Sequence, residues 1–428
     1  MKHGTDQTMS QKVGHAALPR LVTLAVRAAV CTGALALLGA QANAQAVTAD
    51  QATRMYNRIA GIPPTSTELS SMLSAASAAG GGVNGAIAAA LVATHDPKFY
   101  NDTIRNMAAP WTNRAQSVFV PLNDYTATVI GMVRDDIDFH TILSADILYV
   151  GDGTSGEGAY SPNDNNMYQT LDDNNVDLNA HLKQTTQSSV TGIPSAATAG
   201  IITTRGAASA FFVNGTNRAM FRFTMINHLC NDLPTVMDTT RPPDRIRQDV
   251  TRSPGGVSTL FLTNCIGCHS GMDPMAQAFA YYNFSYPASE VGATAWPIGQ
   301  IVYTPGVTQA KYHINNTNFP QGFNTPDDTW DNRWRTGPNQ TLGWSASLTG
   351  SGQGAKSLGT ELESSTAFAT CQVTRVFKMV CYRAPASSSV QSAGGDAAQI
   401  NSMITSFQQN GYKLRQVFAE AAAYCEGT

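Results

Sequence analysis

Charge is scarce in this chain. Only 13% of its 428 residues are Asp, Glu, Lys or Arg, and the formal net charge is −3. That balance argues against a basic nucleic-acid-binding face and against attraction to anionic membrane surfaces. Beyond residue 44 no stretch is apolar for long enough to span a bilayer. Several catalytic signatures are missing as well: there is no G-x-S-x-G, no H-E-x-x-H, no Walker loop, and no G-x-G-x-x-G leading into a helix. Gly-rich strings such as Gly151-Asp152-Gly153 read as loops, and the adjacent carboxylates Asp135-Asp136 and Asp172-Asp173 read as solvated surface.

What is present begins with an export signal. Lys2, Lys12, Arg20 and Arg27 precede or flank the apolar run Ala28 to Ala40, and Ala42-Asn43-Ala44 fits a small-x-small cleavage site. Residues 1–44 are therefore expected to be a signal peptide, and the mature chain is expected to be periplasmic or secreted. Removing them takes away four Lys/Arg and one Asp, which moves the net charge to −6. Cys31 lies ahead of most of the apolar run, which does not suit a lipoprotein anchor.

Six cysteines remain, and two stand in the most informative stretch: Cys265-Ile266-Gly267-Cys268-His269. This is C-x-x-C-H, the attachment pattern of haem c. Two thiols at that separation add across the two vinyl groups of one porphyrin, and the next residue reaches the iron as proximal ligand. A dithiol redox pair would call for a surrounding βαβ pattern, and a zinc site for a second C-x-x-C or an H-x(3–5)-H; neither is seen. Cofactor binding is thus expected at Cys265 and Cys268, with iron ligation by His269. Met379 and His313 are candidates for the sixth ligand, and His228 also stays open.

Cys230, Cys371, Cys381 and Cys425 form an even set for an oxidising compartment, with three possible connectivities. If the three C-terminal helices pack up-down-up, the end of the third returns to the end of the first. That arrangement favours Cys381–Cys425 and leaves Cys230–Cys371.

The expected fold is mainly α, with several helical units and long irregular loops around a cytochrome c-like haem domain. Its segments are an N-terminal helical domain (45–148), a loop-rich connector (149–205), a haem-binding domain (206–357) and a C-terminal helical domain (358–428). Helices are predicted over Ala49–Ala60, after a capping box from Thr65 to Glu68, and over Gly85–Ala93, Pro97–Trp111, Tyr125–Val133 and Ile137–Leu148. Further helices are predicted over 206–238, Asp244–Thr251 and Met275–Tyr282, then in Leu358–Ala384 with a break near Ser364, Ala397–Gln408 and Lys413–Tyr424. Residues 283–357 have few helix signals and hold Trp296, Trp330, Trp334 and Trp344. Asp173, Asn175 and Asp177 start like a calcium loop, but Leu178 and Gln184 stand where that loop needs Gly and Glu.

Beyond the motif, Cys268-His269-Ser270-Gly271-Met272-Asp273-Pro274 continues to Tyr282-Asn283-Phe284. With Arg58-Ile59-Ala60-Gly61-Ile62-Pro63-Pro64-Thr65, Gly200 to Gly206, Phe368-x-x-Cys371-x-Val373 and Gly411-Tyr412-Lys413-Leu414-Arg415, this resembles a family of exported single-haem c-type cytochrome-like proteins of unknown function. Its C-x-x-C-H-x-x-x-D-P type is often met in planctomycetes and proteobacteria. The acidic residues that usually flank the Asn-Phe pair are missing here. The resemblance implies a role for Cys265, Cys268 and His269 and implies no reaction. Asp273-Pro274 reads as the cap and first turn of a following helix.

Three functions fit these observations. The chain is expected to transfer electrons to or from a redox partner protein through one covalent haem. It would otherwise be a haem enzyme with an open sixth position, acting on peroxide, oxygen or an organic substrate, or an exported binding or scaffold protein with a structural haem.

Overall fold

The computed structural model describes residues 45–213, 217–287, 298–386 and 395–426. Residues 1–44, expected to be a signal peptide, and Trp296 lie outside the described residues. Residues from Gln45 onward form one compact unit.

The fold is mainly α. Three helices open it: α1 (Ala49–Ala60), α2 (Ser66–Ala78) and α3 (Gly82–Ala93). Capping boxes start the first two, Thr48 with Gln51 and Thr65 with Glu68, so that orphan amides at both helix starts are satisfied. A continuous helical run then passes through a π segment (Phe99–Ile104), one α turn (Arg105–Ala108) and a 3₁₀ turn (Ala109–Thr112). Helix α4 (Asp124–Arg134) is buried along almost its whole length. Then come α5 (Asn166–Asp173), α6 (Arg205–Phe211), α7 (Arg218–Leu229) and α8 (Ile266–Ala276). The C-terminal set is α9 (Gly354–Glu363), α10 (Thr366–Cys381), α11 (Ala397–Gln409) and α12 (Leu414–Glu426).

Strands are few and short. Three antiparallel pairs join β1 (Leu148–Gly151) to β2 (Leu182–Thr185), β3 (Tyr282–Ser285) to β4 (Gln300–Tyr303), and β5 (Thr329–Asp331) to β6 (Ser351–Gln353).

Helix α12 packs against α3, α10 and α11, so the end of the chain closes onto its beginning. One apolar core runs from Ala52 to Ala423 and takes in residues from every segment drawn from the sequence. The chain pairs Cys230 with Cys371 and Cys381 with Cys425. The first joins the end of α7 to the first half of α10, and the second joins the C-terminal ends of α10 and α12, which an up-down-up arrangement of α10, α11 and α12 brings together.

Three predicted helices are not formed. In Ile137–Leu148 only Phe139–Thr141 turns, as a 3₁₀ segment capped by Asp138; Leu148 onward is a fully buried strand. A short buried apolar run has no periodicity to separate strand from helix, and here strand pairing with β2 decides. Over Asp244–Thr251 the chain instead makes a parallel bridge between Arg247 and Phe323. Arg247 and Asp249 are both buried there, which no surface helix would allow. In place of a helix from Met275 to Tyr282, α8 runs through the motif to Ala276, tightens to 3₁₀ over Gln277–Phe279 and passes into β3.

Candidate functional site

The π segment Phe261–Cys265 runs directly into α8, so the C-x-x-C-H motif is helical throughout. Positions i, i+3 and i+4 share one helix face. Cys265, Cys268 and His269 therefore line up, and Met272 and Asp273 repeat the face one turn later.

Both thiols are unbonded and partly exposed. Cys268 Sγ lies 3.6 Å from the Leu233 carbonyl, and burial pushes this thiol above its ordinary pKa. Cys265 and Ile266 rest on a small second core of Ile246, Val250, Phe261 and Phe319. The Phe261 ring also sits 5.7 Å from the His269 imidazole.

His269 Nδ1 lies 3.2 Å from each carboxylate oxygen of Asp273. Asp273 is wholly buried. Arg218 on α7 donates to it through Nε (2.6 Å) and Nη2 (2.9 Å), and the Arg247 backbone N–H lies 3.4 Å away. Arg218 also donates through Nη1 to buried Asp249 (2.6 Å), which Arg247 Nη2 approaches at 3.2 Å. The Arg247 guanidinium stands 4.2 Å from the centre of the Tyr312 ring. Burial alone would raise the Asp273 carboxyl, but the charges of Arg218 and His269 hold it well below the usual carboxylate range. Burial likewise opposes the Arg218 charge, and the two aspartates outweigh it. Arg218, Asp249 and Asp273 are thus paired and hydrogen-bonded, the condition under which buried charges are tolerated, whereas the Arg247 guanidinium is held by the Asp249 charge and the Tyr312 ring without a side-chain hydrogen bond.

An open cavity of about 430 Å³ adjoins this network. Its apolar wall is Phe223, Leu233, Ala219 and Met272, with His269 and three arginines, Arg114, Arg218 and Arg222, around it. Phe223 is held by stacking on Phe211 at 4.7 Å. Arg222 is paired with Asp232. Exposed Arg114 donates to the Ala210 carbonyl and has no carboxylate partner among the described residues.

Asp273-Pro274 does not begin a helix. Both residues are inside α8, where Asp273 is a buried ion-pair partner in place of a cap. Pro274, in the last turns of the helix, has no backbone N–H to offer the carbonyl four residues back.

The candidate sixth ligands are dispersed. Met379 is on α10, partly buried against the main core. His313 closes a 3₁₀ turn, Ala310–His313. Neither lines the cavity. His228 is fully buried with its Nε2 2.8 Å from the Tyr125 hydroxyl and Trp111 edge-on to its ring. Burial, aided by the Arg375 charge, pushes it well below its ordinary pKa. Trp330 and Trp334 are buried in the main core.

Arg218, Asp249 and Arg247 belong to no sequence motif. The one local clue is the spacing of Arg218 and Arg222, four apart on α7, which brings both to the cavity wall.

The chain matches no family model, no curated protein and no solved structure.

Proposed function

We propose that the chain is an exported haem c protein that transfers electrons. Cys265 and Cys268 would hold the macrocycle as thioethers and His269 would ligate the iron. The observation that carries this is the donor set: two unbonded thiols and an imidazole share one helix face, the imidazole lines a cavity, and the other four described cysteines are all in disulfides. The residues present fit the group. The Asp273 carboxylate accepts from His269 Nδ1–H, and Nε2 has no hydrogen-bond partner among the described residues. When bound, the haem would supply a one-electron Fe(III)/Fe(II) couple.

The residues of the chain then have separable tasks. Asp273 fixes the His269 tautomer and ring orientation. Phe223, Leu233 and Met272 provide an apolar wall that keeps water from the macrocycle. The partial exposure of Cys265 and Cys268 leaves an edge of the site accessible to a redox partner protein. Two disulfides suit an oxidising compartment, and among the described residues no helix is long and apolar enough to cross a membrane.

A specific observation also supports a haem enzyme with an open sixth position. Among the described lining residues of the cavity the one sulfur is that of Met272, on the same helix as His269, and there is no second imidazole.

The test is to secrete the protein from a host competent in cytochrome c maturation, then measure its mass and visible spectrum. A mass increment of one haem, lost together in Cys265→Ala/Cys268→Ala, is expected. A colourless protein with the mass of bare polypeptide overturns the reading. Reduced protein that does not bind carbon monoxide supports electron transfer, whereas a carbon monoxide complex supports the enzyme.

A further inference from the structure

We propose that Asp273 is a positioning residue that makes His269 an unusually strong electron donor to iron, so that the protein works as a low-potential haem. The inference rests on the haem reading above.

The argument is geometric. An imidazole whose Nδ1–H is donated to a neutral carbonyl is a moderate ligand. Donation to an anionic carboxylate shifts electron density toward Nε2 and raises ligand basicity. More basic ligation favours Fe(III), the more positive state, over Fe(II). Asp273 is placed to act in its anionic form. Arg218 Nε donates to one oxygen, and Arg218 Nη2 with the Arg247 backbone N–H addresses the other. Neither oxygen is left to carry a proton without opposing a donor. The pair is also shielded: Asp273 is wholly buried and the His269 side chain is 19% exposed, so the interaction is little screened by water.

Arg218 works in the opposite sense. Its guanidinium withdraws density from Asp273, and its second carboxylate, Asp249, limits how far. The chain therefore carries a graded series from Asp249 through Arg218 and Asp273 to His269. Removing Asp273 and removing Arg218 should move the iron in opposite directions. A site that was merely loosened would move one way for both.

Potentiometric titration of covalently loaded, full-length secreted protein tests this. Haem content is fixed first by mass, so that only the loaded fraction is read. Asp273→Asn, close in shape, should shift the Fe(III)/Fe(II) equilibrium at least tenfold toward Fe(II), which is 59 mV for one electron. Where the reduced iron is five-coordinate, the same variant should also lower the iron–imidazole stretching frequency seen by resonance Raman. Asp273→Glu should restore part of both signals. Arg218→Gln should shift the potential downward; if that variant does not fold, the Raman frequency and the Asp273→Glu rescue decide. An unchanged potential in loaded Asp273→Asn overturns this inference while leaving the haem reading intact. Wild-type protein without haem overturns both.

Discussion

Gly271 and Trp334 are in direct contact: a Cβ on Gly271 would stand 1.9 Å from the indole Nε1. The largest fully buried side chain of the molecule thus rests against α8 two residues beyond His269. Trp334 also meets Phe221 of α7 at 5.9 Å. The indole therefore lies between the helix that bears the motif and the helix that bears Arg218, and it sets how they sit. Gly271→Ala is expected to destabilise the fold by about 1–3 kcal/mol through overpacking. It should also move His269 relative to Asp273. Urea unfolding of the variant beside wild type measures the first effect, and an unchanged midpoint would contradict this packing.

The buried charge network is expected to be asymmetric in its response. Asp249→Asn leaves Arg218 and Arg247 short of one negative charge in a dry site. A loss of about 3–5 kcal/mol is expected, the usual result of stripping one partner from a buried pair. Arg222→Gln, which breaks the half-exposed pair with Asp232, should cost about 1 kcal/mol or less. Chemical denaturation of the two variants side by side gives the comparison, and equal losses would count against it.

Glu363 ties α9 to the 142–144 backbone. Its carboxyl accepts from the Leu143 N–H at 2.8 Å and bonds the Ser144 hydroxyl. Burial pushes it up from the ordinary 4.5 to about 8. The folded protein thus holds a proton that the unfolded chain releases at lower pH. The contribution is fully present below pH 4.5 and is lost as pH rises to about 8. Glu363→Gln, which can keep both contacts without ionising, should flatten that decline. Melting temperatures of both proteins from pH 4.5 to 9 check it; parallel curves would refute it.

Lys311 should give the opposite slope. Its ammonium donates to the Phe212 carbonyl (2.7 Å) and to Asn283 Oδ1 (2.8 Å). Burial first, then the Arg247 charge, lowers it from 10.5 to about 7. The unfolded chain binds the extra proton between those values, so stability should rise with pH from about 7 to 10.5. In Lys311→Met that rise should be absent, which the same melting series extended to pH 10.5 would show.

The two disulfides should differ in weight. Cys230–Cys371 closes a separation of 141 residues and Cys381–Cys425 one of 44. On the chain-entropy account each contributes roughly 2–5 kcal/mol, the longer loop more. Paired Cys→Ala variants, compared by denaturant midpoint, should rank in that order.

Much of this molecule is local and therefore legible in the chain. The caps at Thr48 and Thr65, the helices they start and the break near Ser364 follow from short-range hydrogen bonding. So does the shared face of Cys265, Cys268 and His269, because helical spacing alone aligns them. The segments that depart from the predicted helices are those whose partners are distant. Leu148–Gly151 is a strand because residues 182–185 pair with it. Asp244–Thr251 is a chain of turns around one bridge because Asp249 turns inward to meet Arg218, about thirty residues earlier in the chain, and Arg247 to meet Tyr312. Asp273 shows the division most plainly. Beside a proline it has the look of a helix start, yet it lies inside the helix as the acceptor for His269 and Arg218. Its identity and its spacing from the motif are properties of the sequence. Its charge state and its task depend on a guanidinium 55 residues away, and only tertiary packing, by excluding water around both, gives that pairing its strength.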